Sequence, residues 1–319
     1  MEFKVNVDEI QKITVLGTGV MGPDIALGFA MAGYEVTGVD IKQTILDRAA
    51  QKIALNCQQM VEEGLLSDKE GLKVRSRITL TLDWDGAVAG GDYITEAVPE
   101  EMGTKKEVFR RCDELCSERV VIASNTSSMS ITEISSKMKY PQRAISTHWT
   151  IPAHLSPMVE VICGEKTSGA TVALVFALLK KVGKFPVPCK DSPGFIHNYI
   201  QFAMVKAAMD LLEHEIASSD DIDTVVKNGF GLRMSSIGPI KFIDLCGLDT
   251  ILNIQKYMYK MTKNPIYRPS QLIEKSVNRG DLGAKTGRGF YEYTGDEAEK
   301  LRILTNRTII RIRQALKEF

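Results

Sequence analysis

Residues 13 to 40 read ITVLGTGVMGPDIALGFAMAGYEVTGVD: an apolar strand (Ile13–Leu16), a glycine-rich turn, a helix, and a second strand (Glu35–Val39) that ends on an acid. That order predicts a dinucleotide site. Gly17 permits the tight turn after the strand, Gly19 lets the backbone approach a pyrophosphate, and Gly22 lets the helix pack closely on a sheet. With Val20 and Met21 these glycines would cradle the diphosphate at the helix N-terminus. There, unpaired backbone N–H groups and the positive end of the helix dipole favour an anion without a basic side chain. Asp40 stands 18 residues after Gly22, where its carboxylate can accept hydrogen bonds from both hydroxyls of an adenosine ribose. The same charge would repel a 2′-phosphate, so NAD is expected over NADP; Lys42 is the nearby opposing charge. Glycine-rich turns also make purely structural corners, and it is the strand, helix and acid in register that separate this one from those.

Bulk properties agree and exclude other classes. The 319 residues suffice for two cores, and 40 basic residues balance 40 acidic ones, which argues against a nucleic-acid or anionic-membrane partner. No apolar run approaches the ~20 residues of a membrane span. The N-terminal MEFKVNVDEIQK lacks the apolar core of a signal peptide, so a cytoplasmic protein is expected. The six cysteines (57, 112, 116, 163, 189 and 246) form no CxxC pair and read as reduced packing residues, with no metal site.

Strand and helix patterns alternate up to about residue 190. The predicted strands are Ile13–Leu16, Glu35–Val39, Ile78–Leu82, Tyr93–Ala97, Val120–Ser124, Ala144–His148, Met158–Ile162 and Pro186–Cys189. Between them, segments such as Lys105–Ser117 and Ala170–Lys181 carry helical apolar spacing. The expected fold is α/β, a Rossmann-type doubly wound sheet over residues 1–190, with ligands gathered outside the carboxyl ends of its strands. From DSPGF onward a long helical pattern (Ile196 to His214) opens an all-helical domain over residues 191–319.

Four features fall where a catalytic cleft would lie. Ser124-Asn125-Thr126-Ser127-Ser128 follows a strand, so short polar side chains can reach a ligand, although such residues are also ordinary in loops. His148 ends an apolar strand and Glu160 lies twelve residues on, with Pro152 and Pro157 between them. Two prolines there disfavour a helix, so the chain should turn back and set imidazole beside carboxylate: a base with an orienting acid. Asn198 lies in DSPGFIHN at the domain junction, and Glu100 and Lys105 follow the strand Tyr93–Ala97. Each of these last two features is weak alone, and Glu100 to Lys105 also reads as a solvated helix start with acids in its first turn. His154 and His197 have no obvious chemical partner and read as structural.

Together these segments resemble the 3-hydroxyacyl-CoA dehydrogenase family, whose relatives include the L-gulonate dehydrogenase/lambda-crystallin group and the L-carnitine dehydrogenases. The resemblance covers GTGVMG, Asp40, EAVPE, SNTSS, the His148-to-Glu160 stretch ending PMVEV, DSPGFIHN, GPIKFIDLCGLD and KTGRGFYEY. It implies hydride transfer between C3 of an L-3-hydroxy acid derivative and the nicotinamide of NAD. His148 would be the general base and Glu160 its orienting acid. Ser127 and Asn198 would hold the reacting oxygen, and Glu100 and Lys105 would line the nicotinamide ribose side, with Asn125 also on the cofactor. The resemblance further implies a homodimer.

Two departures bear on the substrate. The family's His-x-x-Asn-Pro reads His148-Trp149-Thr150-Ile151-Pro152 here, and Ile151 cannot supply an amide hydrogen bond. The helix after Asp40 offers Asn56, Glu62 and Glu63 where acyl-CoA-using members carry basic residues. Gly229-Phe230-Gly231-Leu232-Arg233 is similar to the carnitine and gulonate branch, where Arg233 would pair with a substrate carboxylate; the other reading of Arg233 is a surface or interface arginine. A 3-hydroxyacyl-CoA and a small free hydroxy acid therefore both remain as substrate classes. An NAD(H)-binding structural protein with little turnover is the alternative of another kind.

Overall fold

A computed structural model describes residues 6–316. Met1 to Val5, which open the stretch read above for a signal segment, and Lys317 to Phe319, at the end of the second predicted domain, lie outside the described residues. The elements in chain order are β1 (Lys12–Leu16), α1 (Gly22–Met31), β2 (Glu35–Val39), α2 (Gln43–Glu62), α3 (Asp68–Ser76), β3 (Ile78–Thr81), α4 (Trp84–Gly90) and β4 (Tyr93–Glu96). Next come α5 (Met102–Leu115), β5 (Val121–Ser124), α6 (Ile131–Ile134), β6 (Ala144–Trp149), β7 (Met158–Cys163), α7 (Gly169–Lys181) and β8 (Phe185–Lys190). The helices α8 (His197–Glu213), α9 (Ser219–Val225), α10 (Gly231–Met234), α11 (Pro239–Cys246), α12 (Leu248–Thr262), α13 (Gln271–Asn278) and α14 (Glu297–Ala315) follow.

The eight strands form one sheet in the order β3-β2-β1-β4-β5-β6-β7-β8. Every pairing is parallel except β6 with β7, which is antiparallel. Chain order reverses at β1, between β2 and β4, and the crevice at the carboxyl ends of β1 and β4 is the ligand position of a doubly wound sheet. The strands predicted from sequence shift by no more than one residue at either end. β6 runs one residue past His148, because Trp149 still pairs with Val159 of β7; its N–H also donates to Asn125 Oδ1 at 2.9 Å. Pro186 and Pro188 sit in β8, at the edge of the sheet, where a missing N–H costs least.

Helix α1 is buried from Gly22 to Ala30, which accounts for its apolar character on all faces. Its Phe29 meets the rings of Tyr34, Tyr93 and Trp149 at centroid distances of 6.1, 6.0 and 5.3 Å. On the other face of the sheet, the fully buried guanidinium of Arg143 donates to Asp113 Oδ1 at 2.7 and 3.1 Å and to the carbonyls of Asp113, Ser117 and Val120.

The chain forms two compact units, Met1–Val205 and Lys206–Phe319. The division falls within α8, later than the predicted 190/191 boundary, since the first turn of α8 bonds to Glu160 and Ser127 of the sheet unit. Among the described residues the second unit has helices and isolated bridges at Gly283, Arg288 and Glu292 but no strand. Leu248, Leu252 and Ile273 make its small core. The buried Asp244 accepts the N–H groups of Phe290 and Tyr291 at 3.1 and 2.9 Å and the Tyr293 hydroxyl at 3.2 Å, and so anchors the GFYEY turn.

Removing Asp113 would strand the Arg143 charge in an apolar interior. Asp113→Ala is expected to cost about 3–5 kcal/mol in urea denaturation, whereas an exposed pair such as Lys300–Asp296 should tolerate the same change with little loss.

Candidate active site

The glycine turn behaves as three separate constraints. Gly17 has φ +89°, and a Cβ there would meet the Ala97 carbonyl oxygen at 2.7 Å. A Cβ on Gly22 would fall 1.9 Å from the Gly17 carbonyl oxygen, so these two glycines are needed by the fold itself. Gly19 differs: a Cβ there meets nothing within 4 Å, and the residue lines the cavity. Its bare backbone is therefore of use to a ligand rather than to packing. No side chain caps α1, which leaves its N-terminal N–H groups for an anion.

Asp40 lines the same cavity, and its Oδ2 accepts Thr18 N at 2.8 Å while Oδ1 accepts Ile41 N at 2.8 Å. Thr18 Oγ1 adds a longer bond to Oδ2 at 3.3 Å; together these bonds fix the carboxylate, and Oδ1 keeps a lone pair for a ribose hydroxyl. These residues fit a dinucleotide. The cavity, about 1250 Å³, exceeds the ~300–1000 Å³ of a single-ligand pocket. Val20, Met21, Glu100, Asn125, Ser127, His148, His197 and Asn198 also line it. No lysine or arginine does. Lys52 on α2 turns instead to the Val20 carbonyl at 2.7 Å and to Asp24 at 3.1 Å, and Asn56 likewise donates to Asp24 at 2.9 Å.

The antiparallel register sets His148 directly opposite Glu160. His148 Nδ1 lies 2.7 Å from Glu160 Oε2, and both side chains are buried. Glu160 Oε1 accepts the N–H groups of Ile196 and His197, each at 2.9 Å. Burial pushes the Glu160 carboxyl up, but the hydrogen bonds from His148 and from these two N–H groups outweigh it and hold the carboxyl below its ordinary value. The turn that presents those groups bends sharply: Gly194 has φ +77° and Phe195, buried against His148 with ring centroids 5.7 Å apart, has φ +51°.

Glu100 organises the SNTSS loop. Its Oε1 accepts Thr126 Oγ1 at 2.6 Å, Ser127 N at 3.0 Å and Ser128 Oγ at 3.2 Å. Burial opposes its charge, and the Thr126 bond together with the Lys105 ammonium holds its carboxyl low. Asn198 Nδ2 donates to the Ser127 carbonyl at 2.8 Å, which brings Ser127, Asn198 and His148 to one region of the wall. Lys105 does not line the cavity. It is buried, with Nζ 2.7 Å from Glu96 and 3.2 Å from Glu100, so it would act on a ligand through Glu100.

The sequence reading left out His197, yet its imidazole lines the cavity with its centroid 5.9 Å from that of His148. Its place directly before Asn198 on the first turn of α8 was the available signal. His154 is buried outside the cavity wall, 3.7 Å from Asp24. Arg233 belongs to the second unit, where its guanidinium stacks 3.9 Å from the Phe242 ring centroid and its buried Nε has no partner among the described residues.

The reversed sheet order, the glycine turn and the acid at the end of β2 define a dinucleotide-binding domain, and the comparisons with known proteins make it that of an NAD-dependent oxidoreductase acting on a CH–OH group. The NAD-binding domain of 3-hydroxyacyl-CoA dehydrogenase matches residues 12–192, and the C-terminal domain of the same enzyme matches residues 194–293. The chain belongs to the 3-hydroxyacyl-CoA dehydrogenase family. It is 36% identical to the 3-hydroxybutyryl-CoA dehydrogenase of Clostridioides difficile over 88% of this chain and 99% of that one. It is 31% identical to the 5-formyl-3-hydroxy-2-methylpyridine 4-carboxylate 5-dehydrogenase of Mesorhizobium japonicum over 97% of this chain and 99% of that one. The crystal structure of a 3-hydroxyacyl-CoA dehydrogenase from Archaeoglobus fulgidus superposes with a TM-score of 0.79 at 28% identity, covering 96% of this chain and 99% of that one. Among the described residues no helix is long and apolar enough to cross a membrane.

The lowered Glu160 carboxyl makes a signed prediction. A folded-state pKa below the ordinary 4.5 means that its stabilisation is complete above that value and fades as pH falls through the lowered one. The stability gap between the protein and Glu160→Gln should therefore be widest near neutrality and close as urea midpoints are followed from about pH 7 to about pH 3. A gap independent of pH would show that Glu160 is not the carboxylate being titrated.

Proposed function

We propose that the protein interconverts an L-3-hydroxyacyl substrate and its 3-keto product, with His148 as the proton acceptor. The 2.7 Å contact between His148 Nδ1 and Glu160, on a cavity wall shared with the dinucleotide turn, carries this reading. With Nδ1–H donated to the carboxylate, Nε2 is the free nitrogen, and it takes the hydroxyl proton as the C3–O bond becomes a carbonyl. The negative Glu160 stabilises the imidazolium so formed. NAD, when bound along Gly17 to Gly22 and Asp40, supplies at its nicotinamide the acceptor for the hydrogen that leaves C3 with its electron pair. Ser127 and Asn198 hold the reacting oxygen, and Glu100 keeps the Ser127 loop in place for that task.

His148→Gln is expected to lower kcat by roughly 10²–10⁴-fold while leaving NADH affinity nearly unchanged. The assay is NADH oxidation with acetoacetyl-CoA, then NAD reduction with a panel of hydroxy acids. Near-normal turnover in this variant would end the assignment of His148 as base.

A second reading, a small free hydroxy acid as substrate, is favoured by Arg233. Its unpaired, buried Nε is a donor that a carboxylate would satisfy. The Mesorhizobium relative is named for a small carboxylate, whereas the Clostridioides relative is named for a CoA ester. If Arg233 binds the acid, Arg233→Ala should lower kcat/KM for hydroxy acids by about 2–5 kcal/mol and leave acetoacetyl-CoA turnover largely intact. The same preparation should be examined by sedimentation. α12 and α14 expose Tyr257, Met261, Leu304 and Ile310, and a homodimer is the expected cover for them. An unchanged sedimentation profile with unchanged kinetics on every substrate would remove Arg233 from the site.

A further inference from the structure

The His197 imidazole stands in the cleft with no assigned task. Three observations give it one. First, its position is held by the same carboxylate that holds His148. Glu160 accepts the His197 backbone N–H at 2.9 Å through Oε1 and meets His148 at 2.7 Å through Oε2, and the left-handed Gly194 and Phe195 fix the approach. Second, the two imidazoles meet edge to face with centroids 5.9 Å apart, and both line the cavity. Third, the His197 ring makes no hydrogen bond among the described residues, although a neutral imidazole always carries one N–H donor and one acceptor. Two of its neighbours are engaged, Asn198 with the Ser127 carbonyl and Thr150 with Ser156, while Gln201, one turn along α8, also lines the cavity. Ile151, on the same cavity wall, has no polar group to offer.

We propose that the His197 side chain is a substrate ligand, donating a hydrogen bond to the acyl oxygen of the molecule whose hydroxyl carbon sits at His148. This rests on the reading of the reaction given above. In a 3-hydroxyacyl compound the hydroxyl oxygen and the acyl oxygen stand on carbons separated by one methylene. Two imidazoles this close can hydrogen-bond one oxygen each on a single small molecule, since each bond needs only ~2.7–3.2 Å. The acyl oxygen belongs either to a thioester carbonyl or to a carboxylate. Among the described residues that line the wall none is a lysine or arginine, and the His197 ring, beside the His148 ring, is the donor placed to meet this oxygen. The ring thereby fixes which face of the substrate carbon is presented, and it sets specificity beside the reacting bond.

The test uses the full chain and the variants His197→Leu and His197→Asn, with NADH and acetoacetyl-CoA in one arm and NADH and acetoacetate in the other. NADH affinity and thermal midpoint serve as folding controls. On the active probe His197→Leu is expected to lose roughly ten- to a hundredfold in kcat/KM, carried mainly by KM, and His197→Asn should recover part of it. The arm that shows the loss identifies the acyl oxygen as thioester or carboxylate. A folded His197→Leu within about twofold of the parent overturns the assignment, as does a loss in kcat alone, which would make the ring a support for His148. If His197→Leu fails to bind NADH, His197→Ala takes its place under the same criteria: a loss carried by KM supports the donor role, and kinetics within about twofold of the parent overturn it. The His148→Gln control keeps the two readings apart. Turnover that depends on His148 but not on His197 sinks only this inference, whereas no turnover of either probe by the parent protein sinks both.

Discussion

One carboxylate ties a wall of the cavity together. Glu160 sits on β7 with one oxygen on the His148 imidazole of β6 and the other on two backbone N–H groups at the start of α8. A buried carboxylate is costly unless its lone pairs are met, and here three donors meet them. The same contacts have a geometric effect. The antiparallel turn of β6 and β7 sets the imidazole beside the acid, and the acid in turn seats α8, which carries His197 and Asn198 into the cavity. Without an acid at 160 the strand pairing could persist, but the imidazole would lose its orienting acceptor and α8 would lose the anchor of its first turn.

The cofactor half of the cleft works by a different principle. Gly17 and Gly22 are required by backbone atoms of the fold, and Gly19 alone is bare towards open space. Among the described residues none that lines the cavity is lysine or arginine, so an anion there would meet peptide N–H groups rather than cations. The ammonium of Lys52, close to the turn, is engaged with the Val20 carbonyl and with Asp24. It braces the turn from behind and neutralises an acid that would otherwise repel a diphosphate.

Local sequence made much of this legible. The sheet strands appeared within one residue because their apolar, β-branched runs are bounded by turns, and the sheet imposes the same period on each. The prolines at 152 and 157 signalled the reversal that sets His148 against Glu160. What stayed hidden depended on side-chain direction after a turn. Lys105 has a sequence position that suits a ligand contact, yet its ammonium points inward to Glu96, a residue nine positions earlier that sequence gave no reason to pair with it. His197 looked structural because nothing within a few residues of it could be a partner. The ring that it meets, His148, lies 49 residues away in sequence, and the left-handed turn at Gly194 and Phe195 precedes the helix that brings the two together. The extent of the first compact unit was obscured for the same reason, since the opening of α8 bonds back to the sheet unit through contacts 37 and 71 residues apart in sequence.

The left-handed Phe195 shows how the site is kept rigid. A non-glycine residue at positive φ costs on the order of 1–3 kcal/mol and persists only where its surroundings determine it. Here the buried phenyl ring packs against His148 while the next two N–H groups close on Glu160, so burial and charge-assisted hydrogen bonds offset the strain. Several polar groups of this cavity wall are bonded to one another: the Ser127 backbone N–H to Glu100, Asn125 to Trp149, Thr150 to Ser156. The imidazole nitrogens turned to the cavity are not. A site arranged in this way needs little reorganisation when a substrate arrives, because the groups that orient are already bonded and those that react are left open.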